Sequence, residues 1–496
     1  MKNKVIIGAI AGLLAVVFLL VPGLIGGQAE TQTRAYFDSV YGVASVQKPE
    51  VIFDKGWFSS TVTVEWQIPP ELAFLYKDGF LVEGQDLPPY TTVLDVSHGP
   101  VVFVDGLPAI ALAALESNGS FFGENTDGLR ETLKEIPPYY MAVTLGFGGT
   151  ADLFLEHPPF TIAIDKESDE DAEESDNPSS FESKGFVLET RTTFHEDSFS
   201  LISEPISFQF IFRGDENDYA EISLEGLKLD AVYSLNEAYP LNYMAGQTII
   251  DRFALIFEGK ETAGEMTSFE FVLEDIGNID SLAPSGEADL LDYKAETKTG
   301  RISIKTEEWE GNQITSIDSR MHILNIHKGA AVELFEASQK DPNMLEPETS
   351  EIVTESTKLL FSSGLEYNIP LLLAKTRWGD IHYSHTMKFP TTVEFAAFEA
   401  EDFVADVNYV GSFQADAAFV NAIIKLTLEQ QLGDAAADLD EATYQALQQN
   451  MLQQLILAGY LVEEEDGYSM NLALQEGMFT INGQSLDLLG MIQGQS

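Results

Sequence analysis

Thr61-Val-Thr-Val-Glu-Trp66 alternates small or polar side chains with apolar ones over six positions. Successive side chains of a strand point to opposite faces of its sheet. Val62, Val64 and Trp66 therefore share one face, and Thr61, Thr63 and Glu65 share the other. Such a stretch reads as a half-buried strand. Upstream, Val51 and Phe53 show the same period, and Lys55-Gly56 supplies a turn. Downstream, strands are expected at Thr91–Ser97, Val101–Val104, Tyr140–Phe147 and Phe160–Ile164, with Leu107–Glu116 as a short helical turn. The two-residue rhythm continues at Phe186–Thr192, Ile206–Phe212, Ala254–Glu258, Thr267–Leu273, Tyr293–Thr299, Arg301–Thr306 and Ile314–Ile326. Many strands with short turns predict a large, mainly antiparallel sheet. A sheet of that size twists and curls. Curled around apolar contents, it makes a groove.

Helical spacing is confined to a few places. Glu30–Val46 places Tyr36, Phe37, Val40 and Tyr41 on one face. Lys328–Ser363 gives a helical pair broken by Pro342 and Pro347, the second helix capped by Thr349 or Ser350 and ended by Gly364. Asp416–Leu432 and the run from Asp440 to Ala458 form a further pair, with Asp440 as N-cap. Strands then return at Tyr460–Val462, Tyr468–Leu474 and Met478–Ile481, with Asn482-Gly483 as a hairpin turn.

The chain opens on Lys2 and Lys4, followed by Val5–Ile25 without one charged side chain. An apolar helix of this length matches a bilayer core of roughly 30 Å. Lys2 and Lys4 keep the amino terminus cytoplasmic by the positive-inside rule. The expected fold class is thus α+β: a single N-terminal transmembrane helix, then a large, mainly antiparallel body carrying a few amphipathic helices. The alternative is a leader cleaved after Ala29, where Gly27-Gln28-Ala29 offers a small-x-small site. The expected segments are 1–27 (anchor), 28–326 (β-rich, with an acidic loop at 165–184), 327–412 (helical pair, then strands) and 413–496 (helices and hairpin).

With 496 residues, 45% of them hydrophobic, the chain has material for more than one core. It has no cysteine, which excludes thiol catalysis and cysteine-ligated metals. Eighty acidic residues against 27 basic ones give a net charge of −53. A surface of that sign repels nucleic acid and anionic headgroups. Because the charge is spread along the chain, it reads first as adaptation to a salty habitat.

Motif searching leaves weak candidates. His98 neighbours Ser97, but a hydrolytic site needs Ser, His and an acid converging in space. His382 and His385 are three apart and face opposite sides of a strand, so they do not chelate one metal; His322 and His327 lie upstream. Asp165–Asp176 is crowded with carboxylates but lacks the glycine turn of a calcium loop. Gly146-Phe-Gly-Gly149 lacks the lysine and the following helix of a phosphate cradle.

Gly56-Trp-Phe-Ser-Ser60, Ser97-His-Gly-Pro100, the strand pair Leu371–Phe389 around Trp378-Gly379, Leu461–Gly467 and Phe479-Thr-Ile-Asn-Gly-Gln484 together resemble the YdgA-like family of bacterial envelope proteins. The resemblance implies an inner-membrane address with the body in the periplasm, and no reaction. The acidity and the stretch Asp165–Glu182 depart from its pattern. The expectation is a non-enzymatic binding or scaffolding protein, with the inner membrane and a lipid or envelope protein as partners. No catalytic, cofactor-binding or metal residue is assigned, and no cofactor. An envelope hydrolase using His98 or an acidic pair, and a cation-dependent adhesive or sensing module, are the alternatives.

Overall fold

A computed structural model describes residues 26–37, 50–56, 59–66, 90–104, 106–120, 135–164, 179–195, 198–214, 218–234, 243–260, 266–286, 289–306, 312–340, 347–391, 407–432 and 439–486. The chain divides into two units. One comprises Met1–Asn242, Gly246–Phe271 and Thr306–Glu308; the other comprises Tyr243–Ala245, Val272–Lys305 and Trp309–Ser496.

The first unit begins with helix α1, residues 26–37. Its strands are β1 (Glu50–Lys55), β2 (Ser59–Trp66), β3 (Tyr90–His98), β4 (Val101–Val104), β5 (Leu107–Ile110), β6 (Ala113–Gly119), β7 (Tyr139–Leu145), β8 (Thr150–His157), β9 (Phe160–Ile164), β10 (Ser179–Ser183), β11 (Phe186–His195), β12 (Ser198–Ser203), β13 (Ile206–Arg213) and β14 (Tyr219–Ser234). Antiparallel pairing runs β1–β2–β3–β6–β7–β8–β11–β12–β14. It continues at the far end as β9–β10–β13–β14. The hairpin β4–β5 stands apart as its own two-stranded sheet.

The core of this unit is made by α1 lying on one sheet face. Ala29, Tyr36 and Phe37 pack with Val62, Val64, Leu94, Val96, Leu115, Val143, Leu145, Phe194 and Phe199. The alternation that marks Val62 and Val64 as inward residues is thus the one that seats the helix. Burial pushes the Tyr36 hydroxyl up to about 12, because the phenolate would be poorly solvated in that apolar layer.

Strand β15 (Tyr243–Lys260) and strand β16 (Met266–Pro284) follow. The second unit then holds β17 (Leu290–Thr299), β18 (Arg301–Thr306), β19 (Asn312–His327), helices α2 (Lys328–Lys340) and α3 (Pro347–Ser362), β20 (Glu366–Thr376), β21 (Gly379–Lys388), β22 (Asn408–Asp416), helices α4 (Ala417–Leu432) and α5 (Glu441–Leu457), and β23 (Val462–Glu463), β24 (Gly467–Gln475), β25 (Met478–Ile481) and β26 (Gln484–Leu486). Its ladder is an antiparallel meander, β17–β19–β20–β21–β22–β24–β25–β26. Each helical pair replaces a hairpin turn between two neighbouring strands. Asp440 Oδ1 accepts the Thr443 amide at 2.7 Å and caps α5. The pair α4–α5 packs Val420, Ile424 and Leu428 with Ala415, Tyr468 and Phe413. Leu360 and Phe361 of α3 pack with Leu365, Phe389, Val407 and Met387.

Four expectations are corrected. The described chain is mostly antiparallel β, 64% strand against 22% helix in five helices, and not an α+β body. Strands of 16 to 19 residues, far longer than the stretches recognisable by alternation, account for the excess. The single membrane helix of the expected fold class is also not found: among the described residues no helix is long and apolar enough to cross a membrane. Val5–Ile25, on which that expectation rested, lies outside the described residues, as do Val40 and Tyr41. Leu107–Glu116 is no helical turn but two strands, because Gly106 at φ +72° reverses the chain and pairs Leu107 with Val104. The helix expected to be capped at Thr349 or Ser350 instead starts two residues earlier, at Pro347, whose fixed φ suits a first helical turn.

Candidate binding site

Three consecutive pairs of strands in the first unit are each one long strand with a break. Residues Thr150↔Thr193 through His157↔Phe186 pair in one register. The same register resumes from Phe160↔Ser183 to Ile164↔Ser179. The break on one strand is Pro158-Pro159, which removes two ladder donors. On its neighbour it is Lys184-Gly185, with Gly185 at φ +75°. A Cβ on Gly185 would stand 2.6 Å from the His157 carbonyl oxygen, so the position requires glycine on both counts. The next strand breaks at Glu204-Pro205 between β12 and β13.

These breaks reverse the alternation of side chains. His157 and Phe160 are three apart and would face opposite sides of an unbroken strand. Their ring centroids are instead 5.2 Å apart, on one side. The inward face of the core therefore continues past the break as a row of rings. Phe186 stacks on His157 at 5.7 Å, Phe160 meets Phe181 at 5.7 Å, Phe181 stacks on Phe210 at 5.8 Å, and Phe210 meets Phe208 at 5.3 Å. His157 is buried, while the phenylalanines are half-buried. Desolvation holds the His157 imidazole below its usual range, against two opposing backbone hydrogen bonds, so it is uncharged at neutral pH.

The opposite face of the same strands is polar. Glu182 meets Lys184 and Arg213 there. Gln209 Nε2 donates to Glu221 at 2.8 Å, and Tyr219 donates to the same carboxylate. Burial and that carboxylate push the Tyr219 hydroxyl up to about 12. Ile206-Ser-Phe-Gln-Phe-Ile-Phe212 is thus split by its own period into a phenylalanine side and a mixed side.

The other candidates resolve into structural roles. His98 lies with Ser60, not with its neighbour Ser97: Ser60 Oγ and His98 Nε2 are 2.9 Å apart. Both residues are only 6% exposed. Gly26 of α1 covers the ring, so closely that a Cβ there would lie 2.7 Å from His98 Cε1. The pair fastens the start of α1 to β2 and β3. Gly99 follows because a Cβ would sit 1.8 Å from the Ala111 carbonyl oxygen. Gly146–Gly149 closes the β7–β8 hairpin, with the Gly146 amide on the Thr150 carbonyl and the Phe194 amide on that of Gly149.

In the second unit His382 is exposed, while His385 turns to the helix-bearing face among Tyr367, Tyr383 and Tyr409, at 5.1, 5.3 and 5.6 Å. The two tyrosine hydroxyls of Tyr383 and Tyr409 are 2.9 Å apart. His385 Nδ1 is buried and meets no hydrogen-bond partner among the described residues. His322 pairs in the ladder with Lys294 and Asn368, and His327 Nδ1 accepts the Ala330 amide at the start of α2. Among the described residues no three His, Cys, Asp or Glu side chains gather in a metal-binding group. Asp165–Asp176 lies outside the described residues.

A sheet with a row of aromatic rings on one face and charged side chains on the other defines an antiparallel β-sheet protein. The chain belongs to a bacterial family, described as "Bacterial protein of unknown function (DUF945)", which it matches over residues 1–488. Comparison with curated proteins and with solved structures gives no match.

The sequence reading recognised the strands that carry Phe186 and Phe208–Phe212 but not the row they form. The alternation Phe208-x-Phe210-x-Phe212 was a usable signal. The contribution of Phe160 and His157 was not, since it depends on the reversal at Pro158-Pro159.

Proposed function

We propose that this chain is a non-enzymatic binding scaffold of the bacterial cell envelope, of the YdgA-like kind, with its body in the periplasm. The apolar run Val5–Ile25 behind Lys2 and Lys4 supports export, and an exported body without cysteine is held by its core alone. The observation that carries the binding role is the ring row from Phe186 to Phe208: an apolar, uncharged strip continuous with the core but only half-buried. Such a strip binds an apolar chain or an aromatic-bearing protein segment by area, and offers no nucleophile to it. The helix α1 fills the rest of that face, which favours scaffolding over a wide lipid-carrying groove.

The test uses the full chain with Nile red as probe, and a photoreactive phenylalanine analogue at position 181 in cells. Saturable dye binding, weakened tenfold or more by Phe210→Glu (about 1.4 kcal/mol), and a discrete crosslinked envelope species are expected. Binding unchanged in Phe210→Glu, with circular dichroism also unchanged, would overturn the assignment of the row. Recovery of the body from the cytosol would overturn the address.

A further inference from the structure

The hairpin β4–β5 reads Val101-Val-Phe-Val-Asp-Gly-Leu-Pro-Ala-Ile110, with Asp105 its one charged residue. Its inner side is accounted for: Val102 is buried with Ala111 and Ala114, and Val104 and Ala109 pack beside them. Its outer side is not. Val101 pairs with Ile110 and Phe103 with Pro108, so these four share the outward face. Val101 is 44% exposed, Phe103 57% and Ile110 84%, and Pro108 is exposed as well. Isolated apolar residues on a surface need no explanation; a contiguous block with neither charge nor hydrogen-bonding side chain does.

Where the hairpin stands identifies what it meets. It leaves the sheet at Gly99-Pro100, directly after His98. The His98 ring is covered by Gly26, the first described residue of α1. Gly26 is bonded to the last residue of the apolar run Val5–Ile25. Any lipid surface that the run meets is therefore met at the hairpin end of this unit. A protein-docking patch carries a polar rim of hydrogen-bonding groups. Among the described residues of this hairpin, the outward face has none.

We propose that Val101, Phe103, Pro108 and Ile110 seat the first unit on a lipid surface of neutral headgroups, the hairpin lying in the interfacial layer. Neutral lipid follows from the net charge of −53, which opposes an anionic surface. The inference uses residues separate from the phenylalanine row and stands or falls independently of it.

The absence of cysteine makes the test clean, because Phe103→Cys creates a single labelling site on a side chain the core does not use. The full-length labelled chain carries an environment-sensitive nitrobenzoxadiazole and is mixed with phosphatidylcholine vesicles. The expected result is a blue shift, at least a twofold rise in emission, quenching by lipids spin-labelled near the headgroup, and protection from aqueous iodide. Ile110→Asp in the same labelled chain should at least halve the rise. A label that stays iodide-accessible on vesicle-bound protein overturns the proposal. So does a label already blue-shifted without vesicles, since a second copy or another part of this chain would then cover the hairpin; sedimentation separates those two.

Discussion

His385 shows how much of this molecule turns on one side chain's surroundings. Burial among three tyrosines holds its imidazole below the ordinary value of 6.5. The unfolded chain therefore binds a proton that the folded chain resists. The contribution of this group to stability is flat above pH 6.5 and falls as pH drops below it. His157, lowered by the same cause, adds to that slope. Urea midpoints measured from pH 7.5 to 5 should decline, and His385→Phe should reduce the decline. An unchanged slope would show that the ring ionises freely. Ser60 makes a different case. Removing its hydroxyl leaves a buried His98 nitrogen without its 2.9 Å partner, so Ser60→Ala should cost about 1–3 kcal/mol. None of this was legible in Ser97-His98, because the sequence neighbour points to the opposite face and the true partner is 38 residues away. The same strand rule that separates Ser97 from His98 separates His382 from His385, and there the sequence reading and the structure agree.

At the scale of elements, α1 is the piece on which the first sheet is organised. Ala29, Thr33, Tyr36 and Phe37 recur at helical spacing, and all four are buried. Phe37→Ala should cost about 3–5 kcal/mol in a denaturation series. Thr33→Val should do the reverse. Thr33 Oγ1 is buried with no hydrogen-bond partner among the described residues, so replacing the hydroxyl by a methyl removes an uncompensated polar group. A midpoint that rises or holds supports this; a fall of more than about 1 kcal/mol would point to an ordered water on that oxygen. Helix ends were readable because their chemistry is local: Asp440 caps α5, and Gly364, at φ +78°, follows α3. Strand identity was readable for the same reason. The interruptions were not, since a Pro-Pro or Lys-Gly step reads as a turn. Only the pairing of both flanks with the same neighbours shows it to be a bend within one long strand.

For the molecule as a whole the governing quantity is charge. The excess of 80 acidic over 27 basic residues cannot be neutralised by pairing. The described ion pairs sit mostly at the surface, as Arg191–Asp152 and Arg301–Glu274 do, where each contributes little. Several are cross-strand neighbours, such as Lys298–Asp318 and Arg320–Glu296, so the basic residues are placed where like charges would otherwise face each other across a ladder. What remains is repulsion between unpaired carboxylates, acting over the Debye length: about 30 Å at 0.01 M salt and about 10 Å at 0.1 M. Folding brings those carboxylates closer together than they stand in the unfolded chain, so screening favours the folded state. The melting temperature should rise with sodium chloride from millimolar to seawater-like concentrations, steeply at first and then flattening as the Debye length falls below the spacing of the charges. Sodium sulfate at equal ionic strength would exceed that rise only through added surface exclusion. A melting temperature that stayed level, or fell, across the same range would mean that the carboxylates are already spaced beyond each other's reach.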